Sequence, residues 1–207
     1  MVLDRKTFLC FSIHPFISQN ATILTNLQRG NVRAELSAVP QNERSFYELA
    51  AQGELYPHVL QGQLHMLNVQ DESGLTALMW AANYGQLVTV RLLLECGANP
   101  HLKGKQGESA MLLAAANGHM HVVKMLIAAR CDVNDTDNDG NTAMIYAAHG
   151  DHVHCISELL KVNADLTLQN MNQDSAHSIA CKRNSLQAKE LLEREMLKMV
   201  EGQLLQR

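Results

Sequence analysis

The stretch Asp71-Glu-Ser-Gly-Leu-Thr-Ala-Leu-Met-Trp-Ala-Ala-Asn-Tyr-Gly85 decides the fold, because its pattern returns further down the chain. A shift of 33 residues aligns it with two later segments, in which a glycine, a hydroxyl residue and a pair of alanines recur in phase. The aligned positions are Gly74, Gly107 and Gly140; Thr76, Ser109 and Thr142; and Ala81-Ala82, Ala114-Ala115 and Ala147-Ala148. A fixed period of this length indicates a solenoid, in which each unit stacks on its neighbours.

The chemistry of the repeated positions favours the ankyrin repeat, which is a β-turn followed by two helices. The glycines supply the positive φ of the turn, and the hydroxyl residues cap the first helix. Paired alanines allow helices to approach closely. The 34-residue tetratricopeptide repeat is the competing interpretation, but its Trp- and Tyr-centred pattern is absent. Three in-phase glycines would also be costly in a repeat made only of helices.

We therefore predict an all-α ankyrin-repeat solenoid of about five repeats, preceded by a mostly disordered segment at residues 1–44. The expected repeat domain spans 45–201 and divides into a degenerate first repeat at 45–70, regular repeats at 71–103, 104–136 and 137–169, and a capping repeat at 170–201. In the fourth repeat Asp151 stands where Gly85 and Gly118 end the first helix of their repeats. The final helix is expected to show a polar face to water.

Composition excludes several functional classes. A net charge of −4 argues against direct binding of nucleic acid, because domains that bind phosphates usually carry a basic face. The apolar run at residues 8–13 suggests a signal peptide, but it is short and is followed at once by His14-Pro15. No stretch approaches the ~20 apolar residues of a membrane span, so we expect no membrane insertion. Five cysteines without Cys-x-x-Cys spacing indicate reduced thiols in an intracellular protein.

Neither catalysis nor a cofactor is expected from the motifs. The one cluster of metal-like composition is His149, His152, His154 and Cys155. It lacks the second ligand pair that structural zinc commonly needs. The acidic stretch 135–140 resembles the start of a calcium loop, but the twelfth position would be Tyr146 and not glutamate. Because a phosphate-binding loop and a nucleophile elbow are also missing, the sequence predicts a protein that is not an enzyme and holds no metal.

What remains as a candidate site is the surface of the stack. In an ankyrin solenoid the turns and first helices line a concave groove, and the position directly before each alanine pair is expected to face it. That position holds Trp80, Leu113, Tyr146 and Ile179. Trp and Tyr combine a large contact area with a polar group, which suits an interface; the alternative is that Trp80 packs between repeats. The predicted peptide-binding residues are Trp80, Tyr84, Leu75, Asn83, Leu113, Asn117, Tyr146 and His149.

A row of aromatic pockets suits an extended, proline-containing peptide, which is already stiff before it binds. Several motifs also resemble one branch of the ankyrin superfamily, the branch of the regulatory factor X-associated ankyrin protein and the ankyrin repeat family A proteins. The motifs are Thr25-Asn-Leu-Gln-Arg-Gly-Asn31, Leu49-Ala-Ala-Gln-Gly-Glu-Leu55, Ala77-Leu-Met-Trp-Ala-Ala82 and Tyr146-Ala-Ala-His-Gly-Asp-His-Val153. The similarity extends over roughly residues 22–200.

This resemblance implies an adaptor that holds linear motifs of the type Pro-x-Leu-Pro-x-Ile/Leu in its groove, with Trp80 and Tyr146 matching the family's groove residues. The implied partners are DNA-binding proteins of the regulatory factor X type, class IIa histone deacetylases, or the tail of an endocytic receptor. The favoured role is transcriptional regulation in nucleus and cytoplasm, as a monomer within a hetero-complex. The alternative is an ankyrin scaffold for receptor tails or signalling proteins. The turn at 136–141 departs from the family because it lacks a second tryptophan, and the repeat prolines are alanines here.

Overall fold

The computed structural model describes residues 44–204, with side chains described as far as residue 201. All but the last residue of the predicted disordered segment 1–44 therefore lies outside the described residues. Ten α-helices occur in the described part: α1 (Phe46–Gln52), α2 (Pro57–Gly62), α3 (Ala77–Asn83), α4 (Leu87–Glu95), α5 (Ala110–Ala116), α6 (Met120–Ala128), α7 (Ala143–His149), α8 (Val153–Lys161), α9 (Ala176–Arg183) and α10 (Leu186–Leu204). A short 3₁₀ helix, Leu64–Met66, follows α2.

The helices follow one another as five consecutive pairs, and from the second pair onward each pair is preceded by a turn. Pairing across the turns is limited, within residues 44–204, to the isolated bridges Thr136–Thr142 and Gln169–Ser175. The first helices of the pairs, α1, α3, α5, α7 and α9, pack against one another more closely than the second helices do. A stack with one tighter layer curves toward that layer, so the first helices lie on its inner side. The all-α solenoid is confirmed.

Each first helix begins at a hydroxyl residue whose side chain accepts a hydrogen bond from the third backbone amide of the helix. The five caps are Ser45, Thr76, Ser109, Thr142 and Ser175. The predicted caps in the three regular repeats are thus confirmed, each contributing about 1 kcal/mol. The turns that lead into α3, α5 and α7 contain glycines with φ of +84°, +80° and +78°, as the period predicts.

The small residues of the repeat make close packing possible between first helices. Both members of each alanine pair in α3, α5 and α7 are fully buried. The largest fully buried side chains in the described residues are leucine, methionine and isoleucine: Leu60, Leu78, Met79, Leu93, Met111, Leu112, Leu113, Leu126, Met144, Ile145, Ile156 and Leu159. These residues come from both helices of successive repeats, so the core is one continuous layer along the stack.

The junction after α3 explains why a glycine, Gly85, follows that helix. Gly85 has φ +70°, and a Cβ added to it would lie 2.5 Å from Nδ1 of His119 in the next repeat. The Nε2 atom of His119 lies 3.0 Å from the carbonyl oxygen of Asn83. The next junction repeats this arrangement with Gly118 and His152. A glycine is therefore needed both for its φ and for the space that the histidine ring occupies.

The junction after α7 is built differently. At the histidine position the next repeat has the buried Ser185. Asp151 adopts φ +56° where the earlier repeats have glycine. Its Oδ1 accepts a hydrogen bond of 2.7 Å from the Ala188 amide in the first turn of α10, where a helix has unsatisfied donors.

The last helix departs from expectation. α10 has 19 residues, whereas the second helices of the three regular repeats have nine each. Its later turns expose Met196, Leu197, Met199 and Val200. The expected polar face is therefore wrong for this end of the helix, where these apolar side chains are exposed. In the described part of the chain, no helix combines the length and the hydropathy required to cross a bilayer.

Candidate functional site

The inner side of the second repeat carries a stacked pair of aromatic rings. The Trp80 and Tyr84 ring centroids are 6.0 Å apart with an interplanar angle of 11°. Both side chains are half-buried, and burial raises the pKa of the Tyr84 phenol above its ordinary value. Two neighbouring rings on one short helix form an apolar surface with polar edges, which is the composition of interface hot spots.

The indole of Trp80 is held by the turn that precedes its helix. Its Nε1 donates a hydrogen bond of 2.7 Å to Oδ2 of Asp71. The other carboxylate oxygen, Oδ1, accepts from the backbone amides of Ser73 at 2.9 Å and Leu75 at 2.8 Å. Asp71 therefore fixes the turn with one oxygen and the ring with the other. Leu75 is buried, so its side chain packs beneath the turn and offers little surface to a peptide.

Next to the rings lies a pair of side-chain amides contributed by two repeats. Asn117 Nδ2 donates to Asn83 Oδ1 at 2.9 Å and to the Leu113 carbonyl oxygen at 3.0 Å. The remaining groups, Nδ2 of Asn83 and Oδ1 of Asn117, make no hydrogen bond within the described residues. One donor and one acceptor are thus available side by side, which matches the C=O and N–H of a peptide backbone.

Tyr146 occupies the Trp80 position in the fourth repeat but is enclosed. Only 6% of its surface is exposed, and its hydroxyl donates to Oδ2 of Asp137 at 2.5 Å. The Asn141 side-chain amide donates to the same oxygen at 3.1 Å. Burial, followed by the hydrogen bond to Asp137, raises the pKa of the phenol well above its ordinary value. The ring completes a buried polar network, so its side chain presents almost no contact surface.

Of the four residues directly before the alanine pairs, which were expected to face the groove, only Trp80 is partly exposed. Leu113 has no exposed surface and Ile179 has 1%. The position lies between successive first helices, where neighbouring repeats enclose it; only the indole, the largest of the four side chains, stays partly exposed. A peptide-binding role for Leu113 or Tyr146 remains a prediction, and on this geometry it would act through the backbone or through its effect on packing.

His149 lies in the last turn of α7 and corresponds by register to Asn83 of the second repeat. It is half-buried, and its pKa is lowered by burial, with smaller effects from Arg183 and His152. The structure thus places Trp80, Tyr84, Asn83, Asn117 and His149 along the ends of the first helices. In residues 44–201 no three His, Cys, Asp or Glu side chains are arranged to hold a metal ion.

Sequence reasoning missed the carboxylates that hold the rings. Asp71 and Asp137 each lie nine residues before an aromatic residue with a polar hydrogen, Trp80 and Tyr146. The third and fifth repeats have Gly104 before Leu113 and Asn170 before Ile179. This paired variation was visible in the aligned repeats and would have identified the contact.

Comparison with known proteins agrees with the fold. Three overlapping matches to the family described as ankyrin repeats cover residues 47–137, 78–170 and 111–201. The chain is 45% identical over 93 residues to the human DNA-binding protein RFXANK, an alignment that covers 42% of this chain and 34% of that protein. It is 47% identical over 90 residues to ankyrin repeat family A protein 2 from cattle and from humans, covering 42% of this chain and 28% of each relative.

The aligned part thus spans about a third of the length of these relatives. The resemblance to their branch is confirmed over that part. Ankyrin repeats bind other proteins through a surface assembled from several units. With the family matched from residue 47 to residue 201, this chain belongs to the ankyrin-repeat family.

Proposed function

We propose that this protein is a non-enzymatic adaptor that binds extended, proline-containing peptides of the Pro-x-Leu-Pro-x-Ile/Leu type on its inner side. The observation that carries the proposal is the stacked, half-buried Trp80–Tyr84 pair. Proline presents a flat apolar ring, and an aromatic surface of this size can contact it without a deep pocket. A proline-containing segment also loses little conformational entropy on binding.

The amide pair supplies the second requirement of peptide capture. An extended guest has backbone N–H and C=O groups that lose water on binding and need new partners. Asn83 Nδ2 and Asn117 Oδ1 offer one donor and one acceptor, directly beyond the ring pair along α3 and α5. The rings would thus hold a side chain of the guest while the amides hold its backbone, as in other modes of extended-peptide recognition.

For partners, we propose DNA-binding proteins of the regulatory factor X type or class IIa histone deacetylases, and a role in transcriptional regulation in nucleus and cytoplasm. The resemblance to RFXANK supports this assignment. The net charge of −4 favours an indirect association with DNA, through a bound partner, over direct contact with phosphates. The proposed state is a monomer within a hetero-complex.

The test uses the full chain and a fluorescein-labelled Pro-x-Leu-Pro-x-Ile peptide, with a scrambled peptide of equal composition beside it. Because Trp80 is the only tryptophan in the chain, its emission also reports binding directly. We expect Trp80→Ala to weaken binding by at least about 30-fold, the scale of a hot-spot residue. Val88→Ala is the matched control, because Val88 is 80% exposed on α4, in the outer layer.

Binding of the peptide by Trp80→Ala with wild-type affinity would contradict the proposal, as would failure of the folded wild type to distinguish the peptide from its scrambled form. Circular dichroism shows whether each variant is folded. Purification of the wild type and Trp80→Ala from cells then separates the partner classes. Loss of regulatory factor X-type proteins or deacetylases with the variant supports the proposed role, whereas loss of receptor tails supports the alternative scaffold.

A further inference from the structure

Three of the four turns before α3, α5, α7 and α9 are held by the same contact. In each, an oxygen of the first turn residue accepts the backbone amides two and four positions later; the residues are Asp71, Asp137 and Asn170. In the remaining turn that residue is Gly104, and Glu108 instead folds back so that its Oε2 accepts the Gln106 amide at 2.8 Å. One acceptor oxygen is therefore sufficient for the turn, and an asparagine provides it as well as an aspartate.

The second oxygen of the carboxylate serves a different partner. In Asp71 it accepts from the Trp80 indole, and in Asp137 it accepts from the Tyr146 hydroxyl. Asn170 carries an Nδ2 group at this place, which donates to Asn141 at 2.8 Å, and its repeat has the aliphatic Ile179. An aspartate thus occurs where the ring nine residues later has a hydrogen-bond donor. The turn needs only one oxygen, so it is the ring that requires the second carboxylate oxygen.

From this pairing we infer that Asp71 is a positioning residue for peptide capture, and that it fixes the indole of Trp80 in the orientation that stacks on Tyr84. The inference rests on the proposed function of the ring pair. A half-buried indole without this hydrogen bond would sample other rotamers and would have to be ordered when a guest arrives. With the bond, the apolar surface exists before binding.

Asp71→Asn isolates this role. Asparagine keeps the oxygen that holds the turn, as Asn170 shows in the same chain, but replaces Oδ2 with an NH₂ group that cannot accept from the indole. We expect peptide binding to weaken roughly tenfold, the scale of losing the pre-ordering of one large side chain. In the free protein, the emission maximum of Trp80 should shift and its anisotropy should fall, since the indole becomes more mobile.

The matched control is Asp137→Asn, which makes the same change beside the enclosed Tyr146. It should lower stability and leave the affinity for the peptide within about twofold, because the affected ring presents almost no surface to a guest. A tenfold loss of affinity in this control would show that any altered turn weakens binding, and would overturn the inference.

A double-mutant cycle separates positioning from general structure. In a Trp80→Phe background the ring has no N–H, so Asp71→Asn should cause no further loss of affinity. An equal loss in both backgrounds would overturn the inference, because it would mean that the turn itself matters. If Trp80→Ala binds normally, the proposed function fails. If Trp80→Ala loses binding while Asp71→Asn binds like wild type with unchanged emission, the function stands and the positioning role of Asp71 is refuted.

Discussion

The second and fourth repeats contain the same contact, a turn aspartate that accepts a hydrogen bond from an aromatic ring nine residues later. In the second repeat the ring is Trp80, which is half-buried and stacked on Tyr84. In the fourth it is Tyr146, which is enclosed together with Asp137. The comparison shows that the same hydrogen bond can position a partly exposed ring or stabilise a buried one. The outcome depends on how completely the neighbouring repeats cover the ring.

The same two repeats differ again where their first helices end. After α3, Gly85 gives space to the His119 ring, whereas after α7 the same two positions hold Asp151 and Ser185, and the Asp151 carboxylate caps α10. We infer that a large side chain at one of these two positions goes with a small one at the other. Each of the following predictions concerns a substitution in one of the two repeats, or at the junction that follows it, and compares it with the other repeat.

The largest expected effect is the loss of the enclosed carboxylate. In a buried site, Asp137→Ala removes the carboxylate that accepts four hydrogen bonds. Two come from backbone amides, one from the side-chain amide of Asn141 and one from the Tyr146 hydroxyl. We expect a loss of about 3 kcal/mol in the free energy of unfolding, since buried polar groups are left without partners. Asp71→Ala, at the half-exposed site, should cost about 1 kcal/mol because water replaces the lost acceptor. Urea unfolding followed by circular dichroism measures both; equal losses would show that enclosure is not what separates the repeats.

The next effect concerns the helix junction. Gly85→Asp should cost about 2 kcal/mol, because the new side chain meets the His119 ring at a positive φ. Adding His119→Ser recreates the combination seen at Asp151 and Ser185 and should recover about half of the loss. Urea midpoints of the two single variants and the double variant give the coupling. Strictly additive losses would refute the idea that a large side chain at one of the two positions requires a small one at the other.

These differences mark how far the fold and the site could be predicted from the sequence. The turn glycines and hydroxyl caps were predictable, because each depends on the backbone of a few adjacent residues. The enclosure of Leu113 and Tyr146 was not, since it depends on packing against residues about 33 positions away. The sequence pattern indicates which position repeats along the chain, but not how completely the next repeat covers it.

The ring–carboxylate contact lies between the predictable local features and the unpredictable enclosure. The residues Asp71 and Trp80 are close in sequence, yet neither the helical period nor the capping rules link a turn residue to one nine positions later. The exposed apolar residues of α10 were missed for another reason, because a capping helix was expected to be polar. Non-local burial therefore needed the structure.

A smaller effect is expected from removing one hydroxyl. Tyr146→Phe should lower the free energy of unfolding by roughly 1 kcal/mol, because Asp137 Oδ2 keeps the hydrogen bond from Asn141. It should leave peptide affinity unchanged, since the ring is enclosed. Trp80→Phe should show the reverse, with a near-normal urea midpoint and weaker binding. A clear loss of affinity in Tyr146→Phe, measured with the labelled peptide, would show that the fourth repeat contributes a contact that its burial hides.

The smallest effect is a pH dependence that the junction after α3 contributes through a histidine, which the equivalent position after α7 lacks. Burial lowers the pKa of His119 below its ordinary value, while the equivalent position after α7 is Ser185, which does not titrate. A histidine that resists protonation in the folded state contributes stability that is complete above its unfolded pKa of about 6.5 and is lost as the pH falls below that value. The urea midpoint should therefore decrease from pH 7.5 to pH 5.5, a range in which ordinary carboxylates stay largely ionised.

The residue Gln86 supplies the matched control for this prediction, because it occupies the same position at the first junction and its Nε2 donates to the Ala51 carbonyl oxygen at 3.0 Å. His119→Gln should keep the corresponding bond to Asn83 and remove the titrating ring. The decrease in the urea midpoint should then be smaller than in the wild type, but not zero, since burial also lowers the pKa of His149. An unchanged decrease in His119→Gln would mean that the pH dependence arises elsewhere, and that the two kinds of junction differ in packing alone.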